Sequence, residues 1–276
     1  MNEYTHFYNF SENPFKVNPD PRFFFISESN REALACIIYG IRERKGVIWV
    51  SGEAGIGKTS LIQYLSKNLE GEMPVVVIDQ PYISIKQLLT KILHQFGAAP
   101  KSQEKAFLIK QLDKYLTEEI NPDENLAILV DDVHNLNKET MDELRLLSNL
   151  ATNRSKLFQL VLFGRPEIER KLNSEDLKAF KQRIMIRSEI SRLTEKESLQ
   201  YIEHHLRLVG GSSPAVFTLE AISLICRQAK GIPRFINSVC DKAFTVGYHH
   251  SSERIDSLIV REALSRMHKE GKYSGV

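Results

Sequence analysis

The sequence contains few cysteines, and they lie far apart. Cys36, Cys226 and Cys240 are the only 3 cysteines among 276 residues, and no two of them form a CxxC pair. A disulfide framework or a structural zinc site needs thiols at short, regular spacing. The sequence therefore predicts neither of them, and the reducing cytoplasm is the expected location.

Long apolar runs are also missing. No uninterrupted stretch approaches the roughly 20 residues that cross a bilayer as a helix. The N-terminal MNEYTHFYNF lacks the basic region and the apolar region of a secretory signal. We expect no transmembrane segment, so that any action at the inner membrane would require recruitment by a partner.

The charge of the chain is nearly balanced. Its 37 basic and 35 acidic residues leave a formal net charge of +2, which is too small to indicate a nucleic-acid surface by itself. A chain of this length with 42% hydrophobic residues can bury a full core. These values are typical of one larger domain with a smaller companion.

Short apolar runs separated by helical patterns predict an α/β fold. The runs are GVIWVS (46–51), PVVVIDQ (74–80), LAILVDD (126–132), FQLVLFG (158–164) and the weaker IMIRSEI (184–190). Nearly continuous β-branched runs are typical of strands buried on both faces of a parallel sheet. The alternation predicts a doubly wound parallel sheet flanked by helices, with its ligand site at the carboxyl ends of the strands.

Helical patterns flank these strands on both sides. Apolar spacing predicts a helix from Ser29 to about Arg44, and the Pro-rich and Asn-rich segment through Pro21 is expected to be extended. Beyond Leu193 only amphipathic helical patterns follow, which indicates a small all-helical lid domain. The expected domains are an N-terminal strap and helix (1–45), an α/β core (46–190) and a helical lid (191–276).

The segment GEAGIGKT carries the clearest chemical signal. It satisfies GxxxxGK[ST], and it follows a predicted strand and precedes a helical pattern, as a P-loop must. Its glycines let backbone N–H groups converge on phosphate oxygens, while Lys58 reaches the β and γ phosphates and Thr59 can ligate magnesium. ATP and Mg²⁺ are therefore the predicted ligands. The predicted contact residues are Gly52, Glu53, Ala54, Gly55, Ile56, Gly57, Lys58, Thr59 and Ser60.

Two adjacent carboxylates end the third predicted strand. Asp131 lies at the carboxyl edge of the sheet, where a carboxylate can hold magnesium through its coordinated waters. Asp132 follows it and is the candidate catalytic base. An acidic turn would have the same sequence, but the preceding P-loop makes a nucleotide site the better interpretation.

Together these motifs resemble the AAA+ ATPases, and among them the ExeA or GspA type of secretion ATPase, which is related to transposition regulators of the TniB and MuB kind. The resemblance covers nearly the whole chain. The segments that carry it are NPF with NPDPRFFF, REALACIIYGIRERKG, GEAGIGKT, LVDDVHNL, LRLLSNL, LFGRPEI, KQRI and GIPRFINSVCDKAF.

The resemblance implies a role for each acidic residue of the third strand. Asp131 matches the metal-linked aspartate of such proteins. Asp132 stands where they typically carry a glutamate that polarises the attacking water. A carboxylate withdrawn by one methylene implies slow hydrolysis, since misplacement of that size can cost on the order of 100-fold in rate.

The resemblance also assigns three arginines. Arg165 stands at a sensor position usually filled by a neutral amide, so that it either contacts the γ-phosphate or pairs with Glu167 or Glu169. Arg183 matches the region of an arginine finger, which would complete the site of the next subunit in a ring or filament; the alternative is a solvated arginine at a helix end. Arg234 resembles the lid arginine that points back to the nucleotide.

The strap 18–25, with Tyr39 and Gly40, resembles the parts that enclose adenine. The implied function is an oligomeric ATP-driven motor or switch that assembles or regulates a secretion or cell-envelope export system through an envelope-assembly protein. A second hypothesis is an ATP-dependent regulator that binds duplex DNA and recruits a transposase, although the near-neutral charge argues against it. A third is a nucleotide-sensing scaffold with very slow turnover.

Overall fold

The computed structural model describes residues 3–16, 18–79, 83–115, 118, 125–136, 139–142, 144, 158–168, 172–173, 177–211 and 213–270. The chain divides into two compact units. The α/β unit comprises Glu28–Ala54 and Lys58–Ile190, and the helical unit comprises Met1–Ser27, Gly55–Gly57 and Ser191–Val276. The domain boundaries expected from the sequence stay a prediction.

The strands and helices are numbered in chain order. The strands are β1 (Val47–Gly52), β2 (Val75–Ile78), β3 (Leu126–Val130), β4 (Phe158–Gly164) and β5 (Ile184–Ile190). The helices are α1 (Glu3–Phe7), α2 (Glu28–Arg42), α3 (Lys58–Leu69), α4 (Ile85–Gln95), α5 (Lys105–Lys114), α6 (Lys178–Lys181), α7 (Glu195–Leu208), α8 (Ser213–Val216), α9 (Leu219–Ala229), α10 (Pro233–His249) and α11 (Ser257–Lys269). Short 3-10 helices span Pro21–Phe23 and Val133–Asn135.

The α/β unit is built on a parallel sheet. Its described strands run in the order β2-β3-β4-β1-β5, and every neighbouring pair is parallel. All residues of β3 are buried, as expected for a strand covered on both faces. The predicted fold class, a parallel P-loop sheet flanked by helices and followed by a helical part, is confirmed.

The register of the sheet brings the ends of three strands to one edge. Ser51 at the end of β1 pairs with Gly164 at the end of β4, and Val130 at the end of β3 pairs with Leu162. The loops that leave these strands therefore begin side by side. This edge is where an open parallel sheet binds its ligand.

The helical unit begins with a helix that the sequence analysis did not predict. We expected an extended segment through Pro21, and this was wrong for Glu3–Phe7, which form α1. Tyr4 of α1 stacks on Phe244 with ring centroids 5.5 Å apart, and its hydroxyl donates a hydrogen bond to Asp241. A five-residue helix is unstable alone, so that this tertiary packing stabilises it.

A buried histidine fastens the strap to the rest of the helical unit. His205 of α7 is 4% exposed, and its Nδ1 donates a hydrogen bond to the carbonyl oxygen of Pro14 at 2.7 Å. Its ring stacks on that of Phe15 with centroids 5.4 Å apart, and its centroid lies 4.2 Å from that of the Tyr201 ring. Burial lowers the pKa of His205 to about 4. The His205 ring is therefore part of the packing between α7 and the strap.

The helical patterns predicted beyond Leu193 are confirmed by α7, α9, α10 and α11. Thr194 caps α7 through a reciprocal pair of hydrogen bonds, in which its hydroxyl accepts from the Glu197 N–H at 3.1 Å and the Glu197 carboxylate accepts from the Thr194 N–H at 2.9 Å. Within the described ranges, no helix combines the length and apolarity needed to cross a membrane.

The burial of His205 predicts a loss of stability in acid. In the unfolded chain the pKa of this imidazole is about 6.5, whereas it is about 4 in the folded protein. The unfolded state therefore binds more protons between these values, and the free energy of unfolding decreases as the pH falls from about 6.5 to about 4. The loss from this group is on the order of 3 kcal/mol.

The measurement is thermal unfolding of the wild type and His205→Asn at pH 7.5 and pH 4.5. The asparagine amide can still donate to the Pro14 carbonyl, but it does not titrate, so we expect a smaller acid-induced decrease in the unfolding temperature. His249→Asn, at an exposed position of α10, is the control and should follow the wild type. Equal decreases in the wild type and His205→Asn would contradict the prediction.

Candidate nucleotide-binding site

The loop between β1 and α3 has the backbone conformation of a phosphate cradle. Gly52 ends β1 and Lys58 begins α3. Gly55 and Gly57 have φ angles of +76° and +108°, a region that residues with a Cβ atom rarely adopt. A Cβ atom at Gly57 would meet nothing within 4 Å, so that its backbone is accessible to a ligand. The loop therefore directs backbone N–H groups and the amino end of α3 toward one region.

Lys58 is held within the loop by the backbone. Its residue is 6% exposed, and the ammonium Nζ donates hydrogen bonds to the carbonyl oxygens of Gly52 and Glu53, both at 2.8 Å. A buried ammonium must be hydrogen-bonded, and these carbonyls supply the acceptors. The cation is thereby kept at the start of α3, beside the cradle.

Thr59 and Asp131 connect the loop to the end of β3. The Thr59 hydroxyl donates a hydrogen bond to Asp131 Oδ2 at 2.6 Å, and the Asp132 N–H donates to Asp131 Oδ1 at 2.8 Å. Asp131 is 7% exposed, and this burial raises the pKa of its carboxyl; the hydrogen bond from Thr59 opposes the shift. Both predicted metal ligands therefore lie in direct contact.

These groups fit magnesium and a polyphosphate. Hydroxyl and carboxylate oxygens are the ligands that Mg²⁺ prefers, and its remaining ligands are usually waters and phosphate oxygens. Among the described residues, no group of three or more His, Cys, Asp or Glu side chains could hold a metal by itself. The residue types at this edge thus match a cation that arrives with a phosphate ligand.

Asp132 has an unusual backbone conformation. Its φ of 47° and ψ of 41° lie in the left-handed region, which aspartate tolerates better than most residues. Its N–H bonds Asp131, and its carbonyl oxygen accepts from the Asn135 N–H at 2.8 Å. The backbone on both sides of the carboxylate is therefore fixed, while the side chain remains 48% exposed. Its Oδ1 lies 3.8 Å from Nδ1 of His134.

Arg165 directly follows β4 at the same edge of the sheet. It is exposed, and its carbonyl oxygen accepts a hydrogen bond from the Ile168 N–H at 3.2 Å. Its positive charge and that of Lys58 act on His134, whose pKa is lowered chiefly by burial. Among the described residues Arg165 forms no ion pair with Glu167. The alternative partner at position 169 lies outside the described residues.

Arg183 lies away from this group. It precedes β5, and Ile184 at the start of β5 pairs with Val47 at the start of β1. Since the P-loop follows the opposite end of β1, about 20 Å of strand separates the two positions. Arg183 therefore cannot join the group of its own α/β unit directly. Its action on a neighbouring subunit stays a prediction.

Arg234 lies near the middle of the P-loop, within the helical unit. It occupies the first turn of α10, and its N–H donates a hydrogen bond to the Gly55 carbonyl oxygen at 3.2 Å. A Cβ atom on Gly55 would lie 3.0 Å from Cβ of Arg234. The backbone of Arg234 therefore contacts Gly55 within the helical unit, whereas contact of its exposed guanidinium with a nucleotide stays a prediction.

The remaining predicted residues are distributed as follows. Ile56 is buried, Ser60 lies in the first turn of α3, and Glu53 and Ala54 are exposed in the loop. In the proposed adenine strap 18–25, Phe23 packs against His205 at 5.3 Å. Tyr39 is exposed on α2, and the neighbouring Gly40 is buried. Adenine contacts of these residues stay predictions.

Sequence and fold comparisons agree on the family. Residues 41–172 match the AAA domain family. Over 253 residues the chain is 32% identical to general secretion pathway protein A of Aeromonas hydrophila, which covers 91% of this chain and 46% of that protein. The chain belongs to the AAA+ proteins. The resemblance to the ExeA or GspA type is confirmed, and the chain spans about half the length of this relative.

Solved AAA+ structures share the fold at low sequence identity. The ORC2 protein of Aeropyrum pernix, solved in ADPNP-ADP complexes, is similar with a TM-score of 0.68 and 17% identity, over 96% of this chain and 75% of that one. RuvB of Thermotoga maritima is similar with a TM-score of 0.60 and 16% identity, over 88% of this chain and 71% of that one. These likenesses concern the fold alone.

Two features of this region were not predicted from the sequence. The first is His134, which is two residues from Asp132; the short 3-10 helix brings His134 Nδ1 to 3.8 Å from Asp132 Oδ1. The second feature is Gly231, whose carbonyl oxygen accepts from the Leu193 N–H at 2.9 Å. Gly231 lies two residues before α10 begins at Pro233, so its tight contact with Leu193 fixes the chain just ahead of that helix.

The contact at Gly231 predicts a large effect of a single methyl group. A Cβ atom at Gly231 would lie 2.1 Å from the Leu193 carbonyl oxygen, and the φ of +75° disfavours any such residue. We expect Gly231→Ala to lower the free energy of unfolding by more than about 2 kcal/mol, because backbone must move. Urea unfolding followed by circular dichroism provides the measurement.

Gly210→Ala is the matched control for this prediction. Gly210 has a φ of +87°, but a Cβ atom there would meet nothing within 4 Å. It should therefore show only the cost of a left-handed alanine, about 1 kcal/mol. If both variants lost the same stability, the contact with Leu193 would have no special importance.

Proposed function

We propose that this AAA+ chain binds ATP with magnesium through the loop 52–59 and hydrolyses it. The single observation that carries the proposal is the junction of Thr59 with Asp131, beside the buried ammonium of Lys58. It places a hydroxyl, a carboxylate and a cation where the strand ends meet and α3 begins. The nucleotides bound by the Aeropyrum pernix ORC2 protein support the same ligand class.

Each group has a place in the proposed reaction. The Lys58 ammonium exchanges its two loop carbonyls for β and γ phosphate oxygens, and it stabilises the negative charge that develops there. Thr59 and Asp131 would hold the magnesium ion, which would neutralise part of the phosphate charge. Arg165 follows β4 and would respond to the γ-phosphate.

The proposed chemical step is attack by water on the γ-phosphorus. The Asp132 carboxylate accepts a proton from the water while the water oxygen bonds to the γ-phosphorus. The bond from this phosphorus to the β,γ-bridging oxygen breaks. The products are ADP and inorganic phosphate. The Asp132 carboxylate is half-exposed at the end of β3, so that a water can reach it.

We further propose that the chain acts as an oligomeric motor or switch in the assembly or regulation of a secretion or cell-envelope export system. The name of the Aeromonas hydrophila relative supports this role. In such an oligomer Arg183 would complete the site of the next subunit, and Arg234 would couple the angle of the lid to the nucleotide. We expect a cytoplasmic protein that a partner brings to the inner membrane.

Lys58→Ala should abolish most nucleotide binding and turnover. A charge-assisted hydrogen bond contributes about 1.5–3 kcal/mol, so we expect a decrease of roughly 10 to 100-fold in ATP affinity. Titration with a fluorescent ATP analogue and phosphate release measure the two effects. Lys67→Ala, at an exposed position of the same helix, is the matched control and should equal the wild type. An unchanged affinity in Lys58→Ala would refute the proposed site.

Asp132→Glu should increase turnover. If the short side chain limits the reaction, an added methylene brings the carboxylate closer to the water. We then expect kcat to rise by roughly 10-fold or more. The rise should not exceed the factor on the order of 100 that misplacement of a catalytic group can cost. The KM for ATP should change little, because the base makes no ground-state contact with phosphate. A kcat that falls in Asp132→Glu would show that the aspartate is already well placed.

Light scattering and turnover with and without duplex DNA separate the proposed role from the DNA hypothesis. The proposed role predicts that ATP alone controls oligomerisation and that DNA has no effect. Stimulation of turnover by DNA, together with ATP-dependent assembly on it, would support a transposition regulator instead. Binding to DNA in that case should weaken steeply with salt, since phosphate contacts release counterions.

A further inference from the structure

His134 lies among the charges of the nucleotide site. It belongs to the short 3-10 helix Val133–Asn135 that directly follows the two aspartates of β3. The charges that act on its imidazole are those of Asp132, Arg165, Lys58 and Glu167. They come from the ends of β3 and β4 and from the start of α3. The imidazole is therefore placed at the reacting edge of the sheet.

The Nδ1 atom of this imidazole is buried and unsatisfied. Among the described residues it has no hydrogen-bond partner, and the side chain is 15% exposed. A polar atom withdrawn from water normally has a partner, so an exception at this place calls for an explanation. The carboxylate Oδ1 of Asp132, at 3.8 Å, is about 1 Å beyond hydrogen-bond distance.

The backbone of Asp132 is fixed on both sides, so that only its side chain can move toward His134. Its N–H is bound by Asp131 and its carbonyl oxygen by the Asn135 N–H, so that only its side-chain torsions remain free. A side-chain rotation that shortens the distance from Oδ1 to Nδ1 by about 1 Å would form the hydrogen bond. Hydrogen bonds between catalytic groups are often long without substrate and shorten in the complex.

We propose that His134 is the positioning residue for Asp132, whose carboxylate it orients toward the attacking water by a hydrogen bond from Nδ1. The inference rests on the proposed hydrolysis of ATP. A carboxylate can only accept this hydrogen bond, so that the proton must reside on Nδ1. Because burial disfavours the charged imidazole, the ring donates as a neutral group and leaves the negative charge on Asp132.

A histidine that only fills space is the competing interpretation. It predicts that the shape of the side chain matters and that its donor does not. The positioning role predicts the reverse, and it further predicts that the effect disappears when Asp132 is absent. Variants that separate shape from hydrogen bonding, and a double-mutant cycle with Asp132, therefore distinguish the two interpretations.

The first experiment measures kcat and the KM for ATP. We expect His134→Leu to lower kcat about 10-fold with the KM changed less than 2-fold. His134→Asn, whose amide nitrogen replaces Nδ1, should retain at least half of the wild-type kcat. In an Asp132→Ala background, His134→Leu should cause no further decrease. His94→Leu, an exposed position in the last turn of α4, is the control and should equal the wild type.

The second experiment does not depend on turnover. Nitrogen chemical shifts of the labelled imidazole report which ring nitrogen carries the proton. We expect the Nδ1–H tautomer of His134 in the protein saturated with magnesium and a non-hydrolysable ATP analogue. In Asp132→Ala the ring should change to the Nε2–H tautomer that free imidazole side chains favour.

The outcomes separate this inference from the proposed function. Equal losses from His134→Leu with and without Asp132, a failure of His134→Asn to preserve kcat, or an unchanged tautomer in Asp132→Ala would each overturn the positioning role while ATP hydrolysis stands. A wild type that binds ATP but releases no phosphate would overturn both the proposed hydrolysis and the catalytic role of His134. In that case an Nδ1–H tautomer would show only that the two side chains form a pair.

Discussion

The parallel register of β1, β4 and β3 is the constraint on which the site depends. It places Ser51 beside Gly164 and Val130 beside Leu162, so that the segments after these strands start next to one another. The groups that follow are chemically different: a phosphate loop, a pair of carboxylates and an arginine. Hydrogen bonds such as that from Thr59 to Asp131 become possible only because the backbone ladders fix these starting points.

The helical unit is held by single hydrogen bonds to carbonyl oxygens in tightly packed surroundings. His205 holds Pro14 by one hydrogen bond amid aromatic rings, and Leu193 holds Gly231 by another. The first contact secures the strap and the second fixes the chain just ahead of α10. Both rely on tight packing around a single acceptor, which makes them sensitive to one added atom or one added proton.

The sheet and the P-loop could be predicted because their signals are local. Apolar β-branched runs and GEAGIGKT each specify a conformation within a few residues, as does the capping pair Thr194 and Glu197. Helix α1 could not be predicted, since its stability comes from Phe244, far along the chain. The same holds for the approach of His134 to Asp132, which follows a left-handed residue that only the three-dimensional structure reveals.

The two hydrogen bonds from Lys58 to loop carbonyls also bear on selectivity among anions. An anion that takes the place of these acceptors must form stronger hydrogen bonds than two carbonyl oxygens at 2.8 Å. A single weakly basic anion, such as chloride, accepts weaker hydrogen bonds than the two carbonyl oxygens do. Adjacent phosphoryl groups offer several strong acceptors at once. We therefore expect the loop to prefer polyphosphates to the abundant small anions of the cell.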